Sequence, residues 1–217
     1  MADIGFAELL GLPGVEEYCE MRSTFGFMAY HGGALEETTD VVARAAAAQS
    51  GASYYGVHQP DGMRHHIPST KIRPQASEAL ARFVVHVDVV VSIHGYGRRG
   101  LFTSLLLGGR NRELADHVAG HLRPKLPAYD IVTDVERIPP DLRGMHVANP
   151  VNLPRARGVQ IELPPRARGS SPLWWDWEGD LVPHTVALIA GLADAAISWN
   201  GASNAAARAG ASGPIAR

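Results

Sequence analysis

The sequence predicts a single α/β domain, a mostly parallel mixed sheet flanked by helices, on three observations. Apolar runs of strand length alternate with helix-patterned segments, the order that builds sheets covered by helices. The run Val84 to His94, VVHVDVVVSIH, is the most β-branched in the chain and almost continuously apolar, as a strand buried on both faces would be. Two runs stop at a histidine followed by glycine, His31 and His94. Both histidines then stand at carboxyl ends of strands, where open α/β sheets collect their ligands.

Taken in order, Phe6 to Met21, around Leu10-Gly11-Leu12-Pro13-Gly14, reads as a short helix, a turn and a lead-in to the first strand. That strand opens the stretch Phe25 to Glu36, FGFMAYHGGALE, and passes His31, Gly32, Gly33 and Glu36 to one loop. The paired glycines permit a positive-φ turn that brings backbone close to a bound ion or ligand. Glu37 to Ser50 is a helix, with Thr and Asp near its start, alanines within and Gly51 behind it. Ser53 to Val57 is a second strand, Asp61-Gly62 a turn, His65 to Thr70 an extended piece and Gln75 to Phe83 a helix.

After the Val84 to His94 strand come a strand at Leu101 to Leu107, a tight Gly108-Gly109 turn and an amphipathic helix from Asn111 to Leu122, stopped before Pro124. Tyr129 to Val135 is a further strand, followed by a proline-rich loop. Gly158 to Leu163, GVQIEL, is the last, ended by Pro164-Pro165. A loop with Trp174, Trp175 and Trp177 precedes the closing apolar helix, Val186 to Trp199. The domain is expected to span 1–200. Residues 201–217, rich in Ala, Gly and Ser, read as a flexible tail or an expression remnant.

Composition narrows the function. With 217 residues, 46% of them apolar, the chain buries a substantial core as one domain. A formal charge of -2 provides no general basic surface for nucleic acid. The one cysteine, Cys19, excludes an intrachain disulfide and a cysteine-rich zinc cluster. It reads as a packed thiol, with no basic neighbour in sequence to activate it. No stretch spans a bilayer and no export signal precedes the domain, so a soluble, cytoplasmic protein is expected, one that a lysing cell would also release. A metal, if one is used, rests on imidazole and carboxylate.

Zinc accepts such ligands, three from the protein and a water at a catalytic site. His31, Glu36 and His94 are candidates. Each has an ordinary alternative: a histidine hydrogen-bonded beside a loop, or an acid stabilised by a helix dipole. Glu162 interrupts an apolar strand and lies on the pleat face opposite Val159, Ile161 and Leu163. A carboxylate there is costly unless something pairs with it, so it is either a working acid or an edge-strand residue reaching water or an arginine.

The ordered set HGGALE with ETTDVVARA after it, VVVSIHG, LLLGGRNRELADHVAGHL and GVQIELP resembles the poly-γ-glutamate hydrolase family, small zinc enzymes with a zinc carboxypeptidase-like core. The likeness covers about Phe6 to Leu163. It implies one Zn2+ held by His31, Glu36 and His94, with Glu162 as general base, and Glu36 rather than Glu37 as the matching acid. The activity it implies is hydrolysis of γ-glutamyl amide bonds by an activated water.

A γ-linked polymer carries a carboxylate on every residue, so fixed cations are needed. Arg98, Arg99 and Arg110 are the candidates for clasping them, and Arg155 and Arg157 form a second basic pair expected along the same cleft. The chain departs from the family where a compact Asn-Arg-Gly turn is expected: Asn152, Arg155 and Gly158 are spread through NLPRARG. The tryptophan loop has no family counterpart, and His58, His65, His66 and His184 lie outside the matched motifs. Two alternatives stand beside this reading: a zinc amidase acting on a small N-acyl amino acid or cell-wall peptide, and a metal-containing binding domain without turnover.

Overall fold

The computed structural model describes residues 4–211. A seven-stranded sheet organises it, built from β1 (Glu16–Glu20), β2 (Phe25–Gly33), β3 (Ser53–Gln59), β4 (Val89–Gly95), β5 (Ser104–Leu107), β6 (Asp130–Val132) and β7 (Gly158–Leu163), in the order β1-β3-β2-β4-β7-β5-β6. The central four strands, β3, β2, β4 and β7, run parallel, while β1 joins β3 and β5 joins β7 antiparallel. The sheet is therefore mixed around a parallel centre, as expected for an α/β domain.

Side-chain alternation sorts the strands onto two layers. One layer packs Phe25, Phe27, Val91, Ile93, Val159 and Ile161 against α2 (Thr39–Ser50), α4 (Arg112–Lys125) and α6 (Pro183–Ala211). The other packs Met28, Tyr30, Tyr55 and Val90 against α1 (Phe6–Leu10) and α3 (Glu78–His86). A short helix, α5 (Pro165–Arg168), comes directly after β7.

Several boundaries differ from those expected. Val84 to His86 belongs to α3 rather than to the strand: the helix, started by Ser77, whose hydroxyl accepts the Leu80 amide at 3.0 Å, continues until the Val87 amide closes it on the Phe83 carbonyl at 3.1 Å. Leu80, Phe83 and Val84 then share the buried face, and Val85 is 86% exposed. β-branched composition loses here to capping and helical periodicity. The lead-in to the first strand is itself a strand, β1. The piece at 65–70 has no sheet partner; Ser69–Lys71 forms a 3-10 turn. Helix α4 runs on through Pro124, closed by the Leu126 amide on the Leu122 carbonyl at 2.9 Å. Helix α6 runs to Ala211, so the boundary expected at residue 200 falls within a helix, and 212–217 lie outside the described residues.

Candidate active site

The site lies at the carboxyl ends of β2, β4 and β7. His31 is the seventh residue of β2, and the β2–β3 register shifts between Ala29 and Gly32, a bulge of the kind that re-aims side chains beside active sites. Gly32 allows the backbone to lie against Asp40, where a Cβ would sit 2.5 Å from the Asp40 Cβ. Gly33 adopts φ 71°, and a side chain there would meet the Gln59 carbonyl at 2.1 Å. The double glycine thus folds Glu36 back onto the strand end it left. The Glu36 amide donates to the His31 carbonyl at 3.0 Å.

Three donor groups converge there. The Glu36 carboxylate lies between two imidazoles, with Oε1 2.9 Å from His31 Nδ1 and Oε2 3.4 Å from His94 Nδ1. The opposite ring nitrogens are held by the fold. His31 Nε2 donates to the Ile67 carbonyl at 2.9 Å; His94 Nε2 lies 3.0 Å from both the Tyr30 and the Ser92 hydroxyls. The Ile67 carbonyl fixes the His31 tautomer and the two hydroxyls hold the His94 ring, leaving both Nδ1 atoms facing the carboxylate, the arrangement a metal-ligating histidine needs. Glu36 Oε2 also accepts the Gly95 amide at 2.9 Å. Burial works to raise the Glu36 pKa, but His31 and His94 outweigh it and hold the carboxyl far below its usual range. Burial works to lower the His31 pKa, and Glu36 reverses that to a net rise. A divalent cation bound here would compete with those imidazole protons.

His66 adds a donor outside the sequence motifs. One ligand atom from each of His31, Glu36 and His66 lies within 4.8 Å of the others, and the His31 and His66 rings are 5.0 Å apart. In sequence His66 sits in an irregular stretch after the Asp61-Gly62 turn, beside a second histidine and outside every strand end, which is too little to single it out. Among the described residues these are the only three such donors whose ligand atoms all lie within 4.8 Å of one another.

Glu162 stands beside this set. It pairs in register with His94 across β4 and β7, is 4% exposed, and sits on an interior strand, which removes the edge-strand alternative. Its Oε1 accepts the Gln160 side-chain amide at 2.8 Å. Gln160 accepts from Asn149 at 2.8 Å, and Asn149 accepts from the Tyr30 hydroxyl at 3.2 Å. A buried chain of hydrogen bonds therefore links Glu162 to the Tyr30 hydroxyl that holds His94. Burial above all, with Glu36 adding to it and His94 opposing, raises the Glu162 pKa to about 7. Of the supporting residues, Gln160 is legible in sequence, a second polar group two positions from Glu162 on the same strand face; Tyr30 and Asn149 are not, since only the fold brings them there.

His31, Glu36, His66, His94, Gln160 and Glu162 all line one cleft of about 680 Å³. The expected cations are placed otherwise. Arg98 pairs with Asp141, a residue of the cleft wall, and Arg99 is exposed; neither lines the cleft. Arg110 is at the wrong end of the sheet. β5 is antiparallel to β7, so the turn after β5 lies by the start of β7, where the Arg110 amide donates to Asn152 at 3.0 Å. Arg155 needs the same correction: it pairs at 3.0 Å with Asp88, just before β4, and Arg157 precedes β7. The arginines near the carboxylates are Arg143, on the cleft wall but engaged by Glu136, and Arg168. Arg168 donates to the Leu163 carbonyl at 3.2 Å and the Glu37 carbonyl at 2.8 Å, tying β7 to the Glu36 loop. Of the spread Asn-Arg-Gly elements, Asn152 is a buried brace, donating to the carbonyls of Gly144 at 2.7 Å and His146 at 3.0 Å.

His58 is paired with Asp40, and His184 with Tyr129, away from the cleft. The tryptophan loop packs on α5, Trp174 donating to the Arg166 carbonyl at 2.9 Å, with Trp175 81% exposed.

Comparisons agree with this architecture. A bacteriophage poly-γ-glutamate hydrolase superposes with a TM-score of 0.74 at 19% identity, over 89% of this chain and 94% of that one. A zinc-free structure of YNDL gives 0.61 at 20%, covering 88% and 90%. A metallo-carboxypeptidase from Burkholderia cenocepacia gives 0.50 at 10%, covering 90% and 67%. No curated protein matches the sequence. The core is thus carboxypeptidase-like in fold, and residues 13–171 match the poly-γ-glutamate hydrolase profile. On that match, which takes in every strand of the sheet and all the cleft residues named above, the chain belongs to the poly-γ-glutamate hydrolase family.

Proposed function

We propose that this hydrolase is a zinc-dependent amidohydrolase that cleaves γ-glutamyl amide bonds in poly-γ-glutamate. The observation that carries the reading is the convergence of the His31 and His94 Nδ1 atoms on Glu36, next to a buried Glu162, within this family. Imidazole and carboxylate donors with room for a further ligand suit zinc. Held by His31, Glu36 and His94, such an ion would polarise the scissile carbonyl and bring the pKa of water to about 7.

The rest falls to the protein's own groups. Glu162 takes a proton from the attacking water and later delivers it to the leaving amine, a role that calls for a carboxyl whose pKa lies near the working pH. The Gln160 amide on Oε1 orients that carboxylate and leaves Oε2 to carry the proton. Tyr30 and Ser92 hold the His94 ring, and the Ile67 carbonyl holds that of His31. Substrate carboxylates that extend beyond the cleft would be met by Arg98 and Arg99, which lie outside its lining but come after β4 at the site's end of the sheet.

The test is metal content together with turnover. The purified chain is expected to hold about one zinc and to shorten γ-linked glutamate oligomers while leaving α-linked oligomers and N-acyl amino acids intact. A zinc-loaded protein that binds the polymer without shortening it would overturn the catalytic reading; one that prefers N-acyl amino acids would overturn the substrate.

A further inference from the structure

We infer that His66 is an additional protein ligand of the same metal, one that closes the site at rest and leaves when substrate enters. The inference rests on the metal reading above and extends it. His66 offers a ring nitrogen within 4.8 Å of ligand atoms of both His31 and Glu36, so the His31–Glu36 edge is shared by two overlapping donor sets, one completed by His94 and the other by His66.

The backbone around His66 is built to present it. On one side the Gln59 side-chain amide grips His65 twice, donating to its carbonyl at 3.0 Å and accepting its amide at 2.8 Å. On the other, the buried Ile67 gives its carbonyl to His31 Nε2 at 2.9 Å. The contact that sets the His31 tautomer therefore also sets the position of the next candidate ligand. Gln59 is fully buried and Ile67 4% exposed, whereas His66 itself is exposed, so its ring can turn about a fixed backbone.

The consequence lies in the coordination number. Three protein ligands leave a zinc site open for water and substrate, and four close it. With His31, Glu36, His94 and His66 all bound, the site is of the closed kind; with His66 turned away, it is open. Departure of His66 as substrate enters would free that position for the water that Glu162 deprotonates.

The test compares the metal-free full chain with His66→Gln, and with His65→Gln as a neighbouring control, using Zn2+ and Co2+ alone as probes. Melting of the metal-free proteins checks that all fold alike. His66→Gln is expected to weaken metal binding at least about tenfold, the scale at which supporting groups of metal sites act. It should also change the visible Co2+ spectrum and lower the imidazole count by one in X-ray absorption, with His65→Gln unchanged. Equal affinity, spectrum and imidazole count in His66→Gln and the parent would overturn the role of His66 while leaving the metal reading standing. Binding of neither ion by the parent would overturn both.

Discussion

Replacing Glu162 by Gln should make the protein more stable while removing its activity. The Glu162 carboxyl titrates near 7 in the fold against about 4.5 when free, chiefly because burial disfavours its charge. The folded chain therefore binds the proton more tightly than the unfolded chain, and stability falls as pH rises from 4.5 to 7. Above 7 the full penalty is present, about 3 kcal/mol from that difference in pKa. Gln fills the same volume, carries no charge and still accepts the Gln160 amide. In chelator-treated protein, urea unfolding is expected to show Glu162→Gln more stable than the parent by up to about 3 kcal/mol at pH 8, with the difference vanishing near pH 4.5. Zinc should narrow the gap at pH 8, since a nearby cation favours the carboxylate. Turnover should drop by roughly 10²–10⁴, the usual share of a general base, with zinc retained. A variant less stable than the parent at pH 8, or a difference independent of pH, would refute the account of Glu162 as a buried carboxylate held at a cost for catalysis.

Two further changes probe how the site is held. Gly32→Ala places a Cβ 2.5 Å from the Asp40 Cβ and 2.9 Å from the Val57 carbonyl; overpacking of this kind costs about 1–3 kcal/mol, read as a lower urea midpoint, and zinc affinity should fall with it because His31 is the adjoining residue. Arg168→Met removes the donor shared by the Leu163 and Glu37 carbonyls; a loss of roughly 2 kcal/mol is expected, with weaker zinc binding by calorimetry as the Glu36 loop loosens.

Much of the fold and site is legible along the chain because it depends on local pattern. GVQIEL is a strand with the expected ends, and the acid in it is buried on the face opposite Val159, Ile161 and Leu163. His31 and His94 stand at carboxyl ends of parallel neighbours, as the alternation of strands and helices implies. Val84 to His86 reads as strand but folds as helix, because a β-branched run carries no mark of where one element yields to the next; the burial of Val84 on the helix face with Leu80 and Phe83 goes with the helix. The arginines mislead for a different reason. Arg110 lies three residues after a strand, as Arg98 lies three after another, and only strand direction separates the two ends of the sheet.

Residue pattern along the chain is enough for the alternation of elements, the double-glycine turn from His31 to Glu36 and the placing of His94 and Glu162 near strand ends, since each depends on spacing within a dozen residues. Tertiary structure alone decided what those residues meet. The antiparallel entry of β5 carried Arg110 away from the cleft, and the buried line from Tyr30 through Asn149 and Gln160 reached Glu162. It also brought His66 beside His31 from far along the chain, a closeness set by pairing of β2 with β3 and by one hydrogen bond to Ile67. Contacts of that kind arise from how strands pair and in which direction they run, which no local pattern of residue types records.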